Sequence, residues 1–456
     1  MNEKINFLLI FSFGSFIMAG IFLVIANVGA DFQIFLGLAL AILLIFLFFS
    51  KNSILIGFTA WIWLFVLGYR SIYLTSYWRV HPLSIFLIFL FIILLLSARY
   101  KREALPKLPK SIWIFSIFWI WGLIVGAFRG ILWDRMIADA LNFFMIIPLF
   151  SIIFYLSEES GFWKKVSLSF LGAGVVISLL GTLEYYFPQF RTLIPGFIAA
   201  EEGGALNIYG FNRASFSFFG SVTAILISAL ALPMINLVSL VKNRLTGMVI
   251  FLISTGIISA GIYISGTRVA WLLFIITSLL LAYFNFGMIG GVFGLATWGV
   301  LGAFFPQAVV DIFLSIFQPF SGESIIDSSL AKRVARQQDA FALALDNPLG
   351  VGWSGSGWVH GDFTQVAANL GLLAGVFFLG WYLFTLYKAF KLLRRKLDNK
   401  VLQTLFISFL LCGVILATEG VQVLTQLVMP VWFIWGLLEA YLRSKSGAKG
   451  GEIVST

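Results

Sequence analysis

The chain contains few of the residues that bind metals, form disulfide bonds or carry charge. It has one cysteine and two histidines among 456 residues, and only 11% of its residues are charged. One cysteine excludes an intramolecular disulfide and a multi-thiolate metal site, and two histidines exclude a metal centre built from several imidazoles. With so little charge there is no soluble basic domain to hold a nucleic acid, although the formal net charge is +10. We therefore expect no metal, no other cofactor and no nucleic-acid partner.

Long apolar stretches make up most of the sequence. Hydrophobic residues make up 60% of the chain and the mean hydropathy is +1.00, far above the values of soluble globular domains. Windows near the ~20 residues that span a bilayer recur along the chain. They predict an all-α fold, a polytopic transmembrane helical bundle of about 12–14 spans. The predicted spans are residues 6–27, 33–50, 53–69, 83–98, 111–128, 140–156, 166–187, 214–238, 247–265, 269–287, 290–310, 363–387, 401–418 and 424–442.

Hydropathy divides the chain into four regions. Residues 1–187 hold the N-terminal transmembrane helices and residues 188–310 hold the central ones, while residues 363–456 hold the C-terminal helices and a tail. Residues 311–362 form the longest stretch without a predicted span. This long loop is the place where we expect a small helical domain outside the membrane.

One helix is predicted inside the long loop, from about Ser329 to Leu345. Asp327 and Ser328 can cap its N-terminus, and Asn347-Pro348 ends it because a residue that precedes proline disfavours helical dihedral angles. We expect one side of this helix to be lined by the apolar residues Leu330, Val334, Phe341 and Leu345.

Positive charge predicts how the bundle is oriented. Lysine and arginine concentrate in the cytoplasmic loops of membrane proteins. All charge-rich connectors of this chain fall on one side of the predicted bundle, so we expect both termini to be cytoplasmic and the long loop to face outwards. These connectors are Arg99–Lys110, Glu158–Lys165, Lys242–Arg244, Lys388–Lys400 and Arg443–Lys449.

The predicted outer surface carries arginine, and Lys332 is its only lysine. A guanidinium presents its donors in a planar fork that binds phosphate or carboxylate in a fixed geometry. This surface therefore suggests phosphorylated or acidic chemistry at the outer face of a membrane. Its arginines are Arg70, Arg79, Arg129, Arg135, Arg191, Arg213, Arg268, Arg333 and Arg336.

Two pairs of these arginines are candidate phosphate ligands. Arg213 and Arg268 each lie at the predicted outer end of a membrane helix, beside small residues that let a head group approach the backbone. Arg333 and Arg336 lie one turn apart on the predicted loop helix, so their side chains can converge. The alternative is that the first pair extends to lipid headgroups and that the second pair faces solvent or anionic lipid.

His360 and Asp362 are the candidate catalytic pair. They follow the glycine-rich stretch Gly350–Gly357, at the predicted start of a membrane helix. A neutral imidazole, with an ordinary pKa of about 6.5, can take a proton from a hydroxyl group. The alternative is that His360 is a polar residue that caps the helix.

Four stretches of the sequence resemble the signature of the O-antigen ligase and O-antigen polymerase superfamily. Upstream of them, the segments around Arg213 and Arg268 are similar to two further arginine motifs of that family. The resemblance in motifs covers roughly residues 205–375. The four stretches are Ser329-Leu330-x-x-Arg333, Asn347-Pro348-Leu349-Gly350-Val351-Gly352, His360-x-x-Phe363-x-Gln365-Val366 and Leu370-Gly371-Leu372-Leu373-Ala374-Gly375.

The resemblance implies a multi-pass glycosyltransferase of the bacterial inner membrane. Its donor would be a glycan on polyprenyl diphosphate, and its acceptor a hydroxyl group of lipid A–core or of a lipid-linked glycan at the periplasmic face. His360, oriented by Asp362, would deprotonate the acceptor in an inverting transfer that needs no metal. The diphosphate ligands that the resemblance implies are Arg213, Arg268, Arg333 and Arg336.

The ligase function has two alternatives. A polymerase that extends polyprenyl-diphosphate-linked repeats would need the same donor site, so the arginines do not separate the two. A transporter of a small anion would need charged residues inside the membrane. Glu184 and Glu419 are the best candidates for such residues, and each falls near a predicted outer end.

Overall fold

We describe the fold from a computed structural model of the chain. Two predicted spans, 6–27 and 33–50, and the candidate base His360 lie outside the described residues. The described residues are 53–67, 72–73, 79–80, 82–101, 104–159, 161–187, 206–208, 211–213, 231–240, 244–265, 268–304, 328–357, 359, 361–396, 399–418 and 425–447.

Helices make up most of the described structure, as predicted. The elements in chain order are α1 Ser53–Leu67, β1 Ile72–Tyr73, β2 Arg79–Val80, α2 Pro82–Lys101, α3 Lys110–Phe128, α4 Trp133–Phe144, α5 Ile146–Leu156, α6 Phe162–Tyr186, β3 Leu206–Ile208, β4 Phe211–Arg213, α7 Leu232–Met234, a 3-10 helix at Ile235–Leu240, α8 Arg244–Ser265, α9 Arg268–Phe304, α10 Ser328–Asp346, α11 Asp362–Leu370, α12 Leu372–Arg395, α13 Lys400–Thr418 and α14 Thr425–Gly447.

Within the described residues, six helical segments are long and apolar enough to cross a membrane. Shorter apolar segments occur in α1, α2 and α8. The chain is therefore a helical membrane protein with several spans. The six segments are Lys110–Phe128, Arg135–Leu156, Lys165–Leu183, Val269–Val292, Leu372–Arg395 and Lys400–Ala417.

Helix α3 shows how these apolar helices divide between the protein core and the lipid. Ile112 and Phe115 are buried, whereas Ile117 is 67% exposed and Phe128 is 89% exposed. Lipid tails are as apolar as these side chains, so exposure on a membrane helix carries no hydrophobic penalty. Assembly of the bundle must therefore depend on close packing of the buried side.

An aromatic cluster between α12 and α14 supplies much of that packing. The ring centroids of Trp381 and Trp435 are 4.4 Å apart, and those of Trp432 and Trp435 are 5.3 Å apart. Phe378 packs edge-on against Trp432 at 5.8 Å. Offset and edge-to-face ring pairs of this kind each add about 0.5–1.5 kcal/mol beyond the area that they bury.

One acidic side chain is buried beside this cluster. Glu439 on α14 is 8% exposed, and its Oε1 accepts hydrogen bonds from the Thr385 hydroxyl at 2.6 Å and from the Trp381 indole N–H at 3.3 Å. Both donors lie on α12. Glu439 therefore joins α12 and α14 through a polar contact in an apolar region.

We expect Glu439→Ala to lower the stability of the bundle by about 2–4 kcal/mol, because it leaves two buried donors unpaired and opens a cavity. Glu439→Gln keeps an acceptor oxygen and should cost less than about 1 kcal/mol. Thermal unfolding in detergent, followed by tryptophan fluorescence, measures both variants. Leu383→Ala, at a position that is 51% exposed, is the control. Equal melting temperatures for the alanine and glutamine variants would contradict a hydrogen-bonding role.

Helix α9 is a hairpin of two antiparallel arms. Gly287 has φ +65° and ψ −152°, which interrupts the helix. Beyond it, Gly294 faces the Leu279 side chain, so that a Cβ on Gly294 would lie 3.1 Å from Leu279 Cδ2. Residues 15 positions apart in one straight helix would be separated by ~22 Å. The chain therefore reverses at Gly287, which confirms that predicted spans 269–287 and 290–310 are separate helices.

The prediction of a single membrane helix over 363–387 is wrong. The chain forms the short helix α11, breaks at Gly371 with φ +102° and continues as α12. A Cβ on Gly375 would lie 2.6 Å from Ala367 Cβ, so α11 folds back against the start of α12. The apolar sequence runs unbroken through this point, and hydropathy therefore cannot show the change of direction. Asp362 lies at the start of α11, one short helix before the membrane span.

The loop helix is confirmed, but two of its apolar residues, Phe341 and Leu345, are not buried. It runs from Ser328 to Asp346, close to the predicted limits. Phe341 is 52% exposed and Leu345 is 55% exposed, whereas Ala340 and Ala344 are buried. The small residues are buried because α10 packs closely on α11, where Ala367 and Ala368 belong to the same cluster.

Two short antiparallel ladders complete the described structure. In the first, Tyr73 pairs with Arg79. In the second, Leu206 pairs with Arg213. Arg213 therefore lies in a β-strand. Residues 214–230, which begin the span predicted after it, lie outside the described residues, so its place at the end of a membrane helix stays a prediction. Arg268 is the first residue of α9, in agreement with its predicted place at a helix end.

Lysine-bearing connectors meet at one end of the bundle. Arg443 at the end of α14 donates a hydrogen bond to the Lys107 carbonyl just before α3. Lys400 at the start of α13 donates to Asn285 Oδ1 at 2.7 Å, close to the turn at Gly287. These connectors share one end of the bundle, and we call it the lysine end.

Candidate active site at the glycine loop

Residues 347–357, which we call the glycine loop, lie at the end of the bundle opposite the lysine end. The loop packs along α3. The Trp353 backbone N–H donates to the Gly122 carbonyl at 3.3 Å, and its indole N–H donates to the Trp119 carbonyl at 3.0 Å. In return, the Trp121 indole N–H donates to the Leu349 carbonyl at 2.9 Å. These contacts fix the loop against a membrane helix.

Glycines permit this close approach. Gly352 has φ +90°, and a Cβ there would overlap the backbone Cα and N of Gly126 on α3. Gly350 has φ +89°, and a Cβ there would lie 2.5 Å from the Asn369 carbonyl oxygen. Both positions need the left-handed conformation and leave no space for a side chain, which only glycine satisfies. The loop thus lies in backbone contact with α3 and α11.

Helix α11 holds the other side of the loop. The backbone N–H groups of Val351 and Gly352 donate to the carbonyls of Ala368 and Asn369, both at 2.9 Å. The last carbonyls of a helix have no partner within it, so the loop satisfies the C-terminus of α11. This pairing explains how a helix of nine residues is stable beside the membrane span.

Two buried amide side chains of α11 contact the second half of the loop. Asn369 Oδ1 accepts from the Ser356 backbone N–H at 3.1 Å, and Gln365 Nε2 donates to the Gly357 carbonyl at 3.3 Å. Both amides are 0% exposed. Among the described residues, Asn369 Nδ2 and Gln365 Oε1 have no hydrogen-bond partner. Each amide is thus oriented by the loop and leaves its other polar atom unpaired.

Ser354 connects the loop to α4. Its hydroxyl donates a short hydrogen bond to Asp139 Oδ2 and lies 3.1 Å from the Arg135 carbonyl oxygen. Arg129, in the turn that precedes α4, donates from Nη2 to Asn347 Oδ1 at 2.7 Å. Two arginines of the predicted outer surface, Arg129 and Arg135, therefore flank the loop, and both are exposed.

The segment that follows the loop lies where three helices meet. Gln337 of α10 donates from Nε2 to the Ala417 carbonyl at the end of α13, at 2.9 Å. A Cβ on Gly361 would lie 2.8 Å from that Nε2 and 3.1 Å from the Ala417 oxygen. Asp362 follows immediately, is 1% exposed and occupies the first turn of α11, where the helix dipole favours an acidic residue.

The structure brings part of the predicted site together. Arg333 and Arg336 lie on α10, which packs on α11 through Ala344 and Ala368, and Asp362 begins α11. Arg336 is exposed. For Arg213, Arg268 and Arg333 the structure describes the backbone, in β4, at the start of α9 and in α10. Their side chains, like all of His360, lie outside what it describes.

Sequence reasoning identified the glycine-rich stretch of the loop but missed the contact that ties it to α4. Asp139 and Ser354 are 215 positions apart, and Asp139 belongs to none of the motifs named above. The one signal in the sequence was the acidic residue Asp139 inside an apolar stretch, because acidic residues in membrane helices are rare and usually functional. Arg129 was counted only as part of the outer charge.

The described residues contain no group of three or more His, Cys, Asp or Glu side chains arranged to hold a metal ion. At the glycine-loop end of the bundle, the described polar side chains carry guanidiniums, amides, a hydroxyl group and the carboxyl groups of Asp139 and Asp362. Such a set can bind an anion and orient a hydroxyl group. Protein-family models and curated protein sequences give no match to this chain, so its function is inferred from these residues and their geometry.

Proposed function

We propose that this protein is a membrane glycosyltransferase that moves a glycan from a polyprenyl-diphosphate donor to an acceptor hydroxyl group, in the manner of an O-antigen ligase. One observation carries the proposal. The glycine loop, buried Asp362 and the helix that bears Arg333 and Arg336 form one packed unit at one end of an apolar bundle, with Arg129 beside it. A lipid-linked donor in the bilayer would present its diphosphate at this level.

Charge neutralisation is the main chemical requirement of such a transfer. A lipid diphosphate departs as an anion, so fixed guanidiniums stabilise it as the bond to the sugar breaks. We assign this role to Arg213, Arg268, Arg333 and Arg336. The acceptor hydroxyl must lose its proton as it attacks, and we assign that proton to His360. A single displacement inverts the configuration at the anomeric carbon.

Asp362 fits a supporting role. It is buried at the start of α11, two residues after His360, and it is too enclosed to meet a bulky glycan directly. We propose that it orients the His360 segment. The reaction would take place at the periplasmic face of a bacterial inner membrane, with both termini and the lysine end in the cytoplasm.

The identity of the acceptor distinguishes a ligase from a polymerase. Lipid A–core would make the protein a ligase, and a second polyprenyl-diphosphate glycan would make it a polymerase.

The third candidate function is anion transport. For that function the described interior contains Glu439, an acidic side chain that already accepts two hydrogen bonds. An acidic group does not attract an anion, so the buried Glu439 favours glycan transfer over anion transport as the function.

Arg213→Lys and Arg268→Lys test the donor site. Each keeps the positive charge but loses the fork of donors that binds two phosphate oxygens, so we expect transfer to fall by about 10- to 100-fold. Release of polyprenyl diphosphate from a purified donor, with the protein in nanodiscs, measures transfer. Arg443→Lys at the lysine end is the matched control. Full activity in both site variants would contradict the proposed bidentate binding, and absence of transfer by the wild type would overturn the function itself.

A further inference from the structure

Three energetically unfavourable features lie in the glycine loop or in side chains that contact it. Ser354 has a φ of +63°, the one positive φ of a non-glycine residue in the described part of the chain. Asp139 places an acidic group in a helical segment apolar enough to span a membrane. Gln365 and Asn369 each keep a buried polar atom unpaired. Local strain that persists in a folded protein often marks a functional segment.

The Ser354–Asp139 hydrogen bond links two of these features. Glycine would adopt the backbone conformation of position 354 without strain, and the loop has glycine at its other left-handed positions, Gly350, Gly352 and Gly357. Serine adds one group, a hydroxyl, and that hydroxyl donates to Asp139 Oδ2. The bond ties the middle of the loop to α4, and the Arg135 carbonyl oxygen of the same helix lies 3.1 Å from that hydroxyl.

The residues that follow Ser354 contact α11 and α10. Two residues after Ser354, the Ser356 N–H reaches Asn369, and Gly357 then accepts from Gln365. Val359 is buried, and Gly361 rests against Gln337. The chain is thus held at Ser354 and at Gly361, and His360 lies between these two positions in the sequence.

We propose that Asp139 is a positioning residue, which holds Ser354 and through it the glycine loop, so that the His360 segment is fixed for glycan transfer. The proposal rests on the function proposed above. It assigns Asp139 no contact with substrate: its role is to keep the segment that carries the base in one place.

Ser354→Gly separates positioning from stability. It removes the hydroxyl and the backbone strain together, so the melting temperature should stay unchanged or rise. Transfer should nevertheless slow, because small displacements of catalytic groups are costly: we expect kcat to fall by about 10- to 100-fold, with KM for the donor little changed. Asp139→Ala should lower kcat to a similar extent, and Asp139→Asn, which keeps an acceptor oxygen, should retain most of it.

Hydrogen–deuterium exchange of a peptide covering residues 350–361 gives a second readout that needs no activity. Exchange should be faster in Ser354→Gly and Asp139→Ala than in the wild type, and close to wild type in Asp139→Asn. Ser116→Ala is the control, because it removes a hydroxyl that bonds only within α3. It should change neither exchange nor transfer.

Each outcome decides one part of the proposal. Unchanged exchange in both Ser354→Gly and Asp139→Ala would show that the bond does not hold the loop and would overturn the proposal. Faster exchange with wild-type kcat would show that the loop is held for a reason other than transfer, which also overturns it. A wild type that transfers no glycan would overturn the proposed function, and exchange alone would then decide whether Asp139 holds the loop.

Discussion

Gly352→Ala should lower the stability of the bundle by about 2–5 kcal/mol. The left-handed conformation at φ +90° costs a non-glycine residue about 1–2 kcal/mol. The new Cβ would also overlap Cα and N of Gly126, and these are backbone atoms of α3 that cannot rotate away. Overpacking of this kind adds about 1–3 kcal/mol. The sum is a large part of the about 5–15 kcal/mol that stabilises a typical protein.

Yield after detergent extraction and thermal unfolding measure the Gly352→Ala effect. Gly357→Ala is the matched control: this glycine has φ +67°, but a Cβ there has nothing within 4 Å. It should show only the conformational cost of about 1–2 kcal/mol. Similar melting temperatures for the two variants would mean that the loop does not lie in backbone contact with α3.

His360→Ala should abolish most glycan transfer while leaving the protein folded. Positioned general bases contribute about 10²–10⁴-fold to enzymatic rates, so transfer should fall by that order. In a deletion strain complemented with this variant, lipid-linked glycan should accumulate. Accumulated glycan that is already polymerised indicates a ligase, and single repeats indicate a polymerase.

The other histidine provides the control for this experiment. His81→Ala removes an imidazole from the position before α2 in the sequence, which belongs to none of the motifs that carry the resemblance, and it should leave the surface glycan unchanged. Melting temperatures of both variants in detergent show whether a loss of transfer reflects misfolding. Wild-type transfer by a folded His360→Ala protein would remove His360 from the mechanism.

Local signals in the sequence predicted much of the fold. Hydropathy located the membrane helices because a span needs about 20 apolar residues whatever its neighbours are. Capping residues and Asn347-Pro348 located α10 to within one residue at each end. Such signals act within a few residues, so a single sequence is enough to detect them.

The features that shape the site depend on distant contacts. The break at Gly371 falls in an unbroken apolar run, and glycine is common inside membrane helices, so nothing local marks it. The buried side of α10 is chosen by the alanines of α11 and not by its own larger residues. The roles of Arg213, Arg268 and His360 remain predictions from the resemblance.

The packing of the glycine loop on α3 also bears on the order in which the protein is assembled. Asn347 meets Arg129 across 218 positions of sequence, and Trp353 meets Trp119 across 234. During synthesis, α3 and α4 enter the membrane long before their partners exist. The surface around Gly122 and Gly126 therefore has no loop to pack against until the ribosome has made residues 347–357. The glycine-loop end of the bundle can form only after that point, and a chain released earlier carries Arg129 without its partner Asn347.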